Sequence, residues 1–231
     1  MARPRRQEAR RDQLVEAASR AIASQGLASL RLKHIADEAG ITIGSVLYYY
    51  PKLDDLLIEV HQHAVDLFYW DRVRAAEQVS DPAAKLRVAV DQGVPAERAS
   101  TTWRVIYELH AAAVRNRLHA ELLRRLWERE VSLYEEILAA GATAGAFDLH
   151  GPAREIAETV VALEDAFDLH LTSNNEAVDR AGAIARILAY LDLATGSPVS
   201  EPGPALPGPR AAGRRKPRLR QPAGGRSGEL G

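Results

Sequence analysis

Apolar residues recur at three- and four-residue spacing through most of the first 196 positions, the period of an amphipathic helix. Leu14, Ala17, Ala18, Ala21 and Ile22 form the first such stripe, and Gly26 ends it. Residues 33–39 predict a short second helix closed by Gly40. A third starts near Thr42 and stops at Pro51. A long fourth spans 54–79, with Leu56, Leu57, Val60, Ala64 and Leu67 on one face. Ser80-Asp81-Pro82 reads as a cap followed by a residue suited to a first turn, so a fifth helix begins there and breaks at 93–97. Further helices are expected over 101–115, 120–140, 153–171 and 176–194, with a glycine-rich loop at 141–152. Alternating β-branched residues with Asn-Gly-type turns, the marks of strands, are absent. The expected fold is all-α with about nine helices.

The pattern fails over 197–231, which hold seven Pro and seven Gly and almost no bulky apolar side chain. Such a segment cannot bury enough surface to offset the entropy of ordering, so a disordered tail is expected. Its basic run at 210–220 reads as a solubilising tail, with a phosphate-seeking arm as the weaker reading.

One stretch carries more than periodicity. In 32–51, LKHIADEAGITIGSVLYYYP, Ile35 and Ala36 face inward from the second helix, and Ile41 and Val46 pack back from the third. Ala39 is small and Gly40 supplies a tight turn. Two short helices crossing steeply need both features, which is the helix-turn-helix pattern. The second helix of such a pair enters the major groove N-terminus first. That end presents Thr42 as N-cap, then Ile43, Gly44 and Ser45, and Gly44 lets backbone approach DNA closely. Tyr48 and Tyr49 follow one turn later, placed to donate to phosphate oxygens, while Tyr50 is expected to pack inward.

This stretch resembles the N-terminal domain of the tetracycline-repressor (TetR) family of bacterial transcriptional regulators. The residues that carry the resemblance are Ile35-Ala36, Ala39-Gly40-Ile41-Thr42, Gly44-Ser45, Tyr49-Tyr50 and Leu56-Leu57. The wording from Gly44 to Pro51 resembles most the choline-responsive BetI-type repressors. Three positions depart from the family pattern. Arg31 stands where a Ser or Thr cap is usual, Leu47 replaces a tyrosine, and Leu53 replaces a lysine, with Lys52 one residue earlier. The resemblance implies an N-terminal DNA-binding domain over 1–52, a ligand-binding and dimerisation domain over 53–196, and the tail over 197–231.

Charge sharpens that division. The formal net charge of −1 conceals a basic head of +4 over 1–52, an acidic body of −10 over 53–196 and a tail of +5. Basic segments seek phosphate and acidic bodies do not. Arg3, Arg5, Arg6, Arg10 and Arg11 precede or open the first helix, either as an arm on the DNA backbone or as a solvated terminus. Arg31, Lys33 and Lys52 flank the turn and are the stronger phosphate contacts. A site read by one such domain is short, so specificity calls for a two-fold dimer on a near-palindromic operator. The resemblance places that dimer on the last two helices, whose apolar stripes are Ile156, Val160, Leu163 and Phe167, then Ile187, Tyr190 and Leu191. The same stripes could equally be internal core.

The family's body holds a small-molecule pocket. Its expected lining here is Trp70 on the fourth helix, then Trp103, Tyr107, Glu108 and His110 on the sixth. Trp127 on the seventh and Glu164, Asp165 and Asp168 on the eighth complete it. Aromatic faces with carboxylates make sites for cations, so a polyamine or quaternary ammonium effector is expected. The plainer reading is that the tryptophans fill core and the carboxylates pair with Arg104, Arg115 or a partner subunit.

The remaining chemistry is negative. There is no cysteine, and His61 and His63 lie two apart on a helix and face different ways. No nucleophile elbow, phosphate loop or metal-binding pattern is present, so no enzyme, cofactor or metal site is expected. No run reaches the ~18 apolar residues of a membrane span, and a cytoplasmic setting is expected. The expected function is ligand-responsive repression of transcription, with a helical protein–protein adaptor that kept vestigial DNA binding as the alternative.

Overall fold

A computed structural model describes residues 2–96, 100–173 and 175–201, with side chains from residue 7 onward. Among these residues there are nine helices and no strand: α1 (Ala2–Gln25), α2 (Leu32–Ala39), α3 (Ile43–Tyr49), α4 (Leu53–Glu77), α5 (Pro82–Gly93), α6 (Thr101–Ala113), α7 (Arg117–Thr143), α8 (Ala153–Thr172) and α9 (Arg180–Thr195). A single 3-10 turn at Leu27–Ser29 joins α1 to α2.

The helix starts are set by local chemistry. Asp81 accepts from the Ala84 N–H at 2.7 Å, with Pro82 in the first turn, as its sequence predicts. Two helices begin elsewhere than expected, each at a cap. Asn116 accepts from Leu118 N–H and starts α7 at Arg117. Asp179 accepts from Gly182 N–H and delays α9 to Arg180. Both are ordinary N-cap residues.

Two cores organise the chain. One is built from α1–α4 and includes Leu14, Ile22, Ile35, Val46 and Leu56, all buried; it continues into α6 through Val105, Ile106 and Leu109. The boundary expected at residue 52 therefore does not separate two cores. The second core joins α5, α7, α8 and α9 around Leu86, Tyr134, Leu138, Val160 and Ile187. The body also extends past residue 196. Val199 is fully buried, Ser197 Oγ donates to the Ala146 carbonyl at 2.8 Å, and Arg87 donates to the Val199 carbonyl at 2.9 Å. Residues 197–201 are thus packed rather than part of a tail, and 202–231 lie outside the described residues. No described helix is long and apolar enough to cross a membrane.

Candidate functional site

The turn between α2 and α3 is built as the glycine predicts. Gly40 sits at φ 64°, where L side chains are strained, and the Ile41 N–H reaches back to the Ala36 carbonyl at 3.0 Å to close α2. Thr42 caps α3, its Oγ1 accepting from the Ser45 N–H at 3.1 Å. At the Arg31 cap position the His34 ring substitutes: its Nδ1 accepts the Arg31 N–H at 3.2 Å, while the Arg31 guanidinium donates to the Leu30 carbonyl.

α3 therefore stands with Val46 and Tyr50 inward and Thr42, Ile43, Gly44, Leu47 and Tyr48 outward. Tyr48 is 68% exposed and meets the half-buried Tyr49 edge to face at 5.0 Å. Arg31, Lys33 and Lys52 are exposed around this face. Leu53, by contrast, packs against the first core, so Lys52 carries the cation at the mouth of α4. A Cβ on Gly44 would meet only Thr42 Oγ1, at 3.9 Å. The free protein has room for a side chain there.

Arg11 is used differently from the phosphate arm considered for it. It ion-pairs with Glu59 on α4, with its guanidinium 4.4 Å from the Tyr50 ring centre, and Tyr50 donates to the same carboxylate. This ties α1 to α4. Arg10 donates to Gln13 within α1. The side chains of Arg3, Arg5 and Arg6 lie outside those described.

A cavity of about 270 Å³ opens among α4, α6, α7 and α8. That is close to the lower end of small-molecule sites, which run from ~300 to 1,000 Å³. Its walls are Phe68, Trp103, Tyr107 and Trp127, with Glu130, Asp165 and Asp168 as acidic members and His110 and Arg124 also in the lining. Phe68 meets Trp103 edge to face at 4.8 Å, and Trp103 and Tyr107 stack at 6.2 Å. Three expected members are elsewhere. Trp70 is 49% exposed on the outer side of α4, one residue round the helix from the half-buried Tyr69. Glu108 points toward α1, where it accepts the Leu27 N–H at 3.0 Å beside Gly26. Glu164 lies behind the cavity wall.

The cation behind that wall is Arg72 of α4, which neither the periodicity nor the charge pattern singles out. It is wholly buried. Its Nε donates to the Ala89 carbonyl at 2.9 Å, Nη1 to Glu130 at 2.9 Å, and Nη2 to both Glu164 oxygens at 2.6 and 2.7 Å. The Tyr134 hydroxyl accepts from Nη2 and donates to Glu164. The backbone of Gly93 makes room, since a Cβ there would sit 2.6 Å from Arg72 Nη2. Burial works against the arginine's charge, but Glu164, Tyr134 and Glu130 outweigh it and hold the guanidinium protonated. Two carboxylates share that one cation, and burial pushes the Glu130 carboxyl up to about 8. Arg104 does not pair with these acids; it donates to the Ala23 carbonyl on α1 at 3.0 Å.

Asp168 has no such partner. It is 2% exposed, and its Oδ1 makes no hydrogen bond. Burial, then the neighbouring Glu164, Asp165 and Glu130, drive its carboxyl well above the usual range. Asp165 stays open to solvent at the mouth, yet the protein packed around it raises its carboxyl to about 6.

A second polar contact that the sequence reading missed joins α4 to α7. His61 and His119 are buried with their Nδ1 atoms 2.9 Å apart. Burial, then His119 and His110, lower His61 to about 4, so the pair is neutral near pH 7. Among the described residues no three acidic or histidine side chains group as a metal site.

The stripes expected at a dimer interface divide. Ile156, Val160, Ile187 and Leu191 are at most 4% exposed within one chain, so they cannot meet a partner; α7 and the α8–α9 packing cover them. Leu163, Phe167 and Tyr190 are half-buried against the same core. The outward apolar residues are instead Ala162, Ala166 and Leu169 on α8 and Ala181, Ala185, Ala189 and Leu193 on α9.

Comparison with known proteins agrees with this layout. The model of bacterial regulatory proteins of the tetR family matches residues 14–60, and that of the BetI-type transcriptional repressor C-terminal region matches 82–196. The chain is 29% identical over 197 residues to the HTH-type transcriptional regulator BetI of Paraburkholderia xenovorans, covering 82% of this chain and 95% of that one. Among solved structures, a TetR transcription regulator from Haloarcula marismortui superposes with a TM-score of 0.74 at 20% identity, covering 81% of this chain and 99% of that one. A putative transcriptional regulator from Saccharomonospora viridis, solved in complex with choline, superposes with a TM-score of 0.72 at 20% identity, covering 79% and 95%. With its helix-turn-helix and its helical body each matched in place, the chain belongs to the TetR family of DNA-binding transcriptional regulators.

Proposed function

We propose that the chain is a repressor that binds a near-palindromic operator as a dimer and is released by a small organic cation seated among α4, α6, α7 and α8. The observation that carries the effector is the cavity wall: aromatic faces beside carboxylates that outnumber the one buried arginine. The choline held by the Saccharomonospora viridis neighbour is a cation of the same general kind.

The DNA contacts follow from the exposed face of α3. Thr42, Ile43 and Ser45 are placed to meet base edges and Tyr48, Tyr49, Arg31, Lys33 and Lys52 to meet phosphates. Dimerisation is assigned to the outward small-residue faces of α8 and α9, with Leu169 and Leu193 as the large members, 52% and 75% exposed. Transmission is assigned to α6. Its Trp103 and Tyr107 line the cavity, while Arg104 and Glu108 hold the last turn of α1 and the turn that follows it. A cation that repositions α6 would therefore reposition the helix pair, and a ligand shifts an equilibrium only by its different affinity for the two states.

A gel shift with DNA flanking the protein's own coding region tests the reading. Tight binding that survives competitor DNA and falls when small organic cations are added is the expected result. Weak, salt-sensitive binding with no sequence preference would point instead to the adaptor.

A further inference from the structure

The acceptor left over in the cavity wall says more about the effector than its charge. Asp168 lies in the wall with Oδ1 unpaired, and a buried polar atom without a partner is costly. None of the groups around it donates to it. Arg72 directs its donors to Ala89, Glu130, Glu164 and Tyr134. Arg124, the other cation of the lining, is exposed and forks onto Glu121. His110 is exposed and stacks on Tyr107. What faces Asp168 from α7 and from α8 is acidic: Glu130, Glu164 and Asp165.

Asp165 and Asp168 are three residues apart on α8, so they share a face with Cβ atoms about 5–6 Å apart. One is buried and one lies at the mouth. Neither has a cationic side chain paired with it among the described residues.

We propose, on the reading that the effector is a cation, that this site takes a short alkyl diamine whose inner ammonium donates an N–H to Asp168 Oδ1 and whose outer ammonium lies against Asp165. A quaternary ammonium carries charge but no N–H. It would satisfy the field of the carboxylates and leave Oδ1 unpaired. The site thus discriminates by hydrogen bonding between two heads of equal charge, as buried acceptors do when a ligand lacks the matching donor.

The test is isothermal titration of the full chain with 1,4-diaminobutane, n-butylamine, butyltrimethylammonium and n-butanol. The diamine is expected to bind most tightly. Butylamine should exceed butyltrimethylammonium by roughly tenfold or more, the cost of stranding a buried acceptor. Binding should release protons, read as a dependence of the heat on the buffer's ionisation enthalpy, because the acidic wall gives up a proton to meet the cation. Asp168→Leu removes the stranded carboxyl, so it should raise the melting temperature of the ligand-free protein and erase the preference between the two heads. Equal or tighter binding of the quaternary amine overturns this proposal and leaves a cationic effector standing, as does a preference that survives in Asp168→Leu. Binding of butanol with none of the three cations overturns the cationic effector itself.

Discussion

Replacing Arg72 by Met keeps most of the apolar stem and removes the guanidinium. Glu130 and Glu164, at 6% and 2% exposure, then share no cation, and the Ala89 carbonyl and Tyr134 hydroxyl each lose a donor. A stranded buried carboxylate escapes its desolvation by taking a proton. From an ordinary value of 4.5, holding one such carboxyl neutral at pH 7.5 costs about 4 kcal/mol, and at pH 5.5 about 1.4 kcal/mol. Burial already pushes the Glu130 carboxyl up, so the new cost falls mainly on Glu164. The expected destabilisation is therefore about 4 kcal/mol at pH 7.5, within the ~3–5 kcal/mol seen when one partner of a buried pair is removed. It shrinks by more than half at pH 5.5. Urea unfolding at the two pH values measures it, and Glu164→Gln in the Arg72→Met background should recover most of the loss at pH 7.5. A loss equal at both pH values, or no recovery in the double variant, would refute the charge argument and leave packing as the cause.

Other outcomes follow from the same geometry. Gly44→Ala should leave thermal stability unchanged or raise it by up to ~1 kcal/mol, since Ala favours a helix, while weakening operator binding in a gel shift; undiminished binding would remove Gly44 from the DNA face. Gly93→Ala drives a methyl into Arg72 and Glu164 and should cost ~1–3 kcal/mol in chemical denaturation, with a void substitution elsewhere on α5 as control. The neutral His61 imidazole contributes stability above its ordinary 6.5 that is lost as pH falls toward about 4, in total about 3 kcal/mol. The difference in unfolding free energy between the natural chain and His61→Phe should accordingly slope between those pH values, and a flat difference would contradict it. Glu108→Ala should leave cation affinity in place yet shrink the cation's effect on DNA affinity, measured as the ratio of operator affinities with and without ligand.

What the residues announce in advance is what short-range chemistry decides. Gly40, Thr42 and Asp81 act on backbone groups within a few positions, so their roles can be read from neighbours in the chain. Arg72 could not be read that way. Its carboxylate partners are 58 and 92 residues further on, and only the packing of four helices brings them together. Trp70 shows how narrow the margin is: successive residues on a helix differ by about 100° in direction, enough to move a ring from the inner wall to solvent. The stripes of α8 and α9 were ambiguous for another reason. Each helix has more than one apolar face, and periodicity states that a face is buried without stating by what. The small outward alanines that remain uncovered carry little hydrophobic signal. Asn116 and Asp179 were legible caps, and weighing them would have placed the starts of α7 and α9.

The arrangement of α6 has a consequence for how such a protein can change. Trp103 and Tyr107 are one turn apart on one side of the helix, and Arg104 and Glu108 are one turn apart on the side adjoining it. On the proposed reading, choice of effector and delivery of its signal are thus written in separate letters of one short segment. A substitution at 103 or 107 would then redirect the protein to a new compound without rewriting the linkage to α1. One at 104 or 108 would strengthen or silence the response while the chosen compound stays the same.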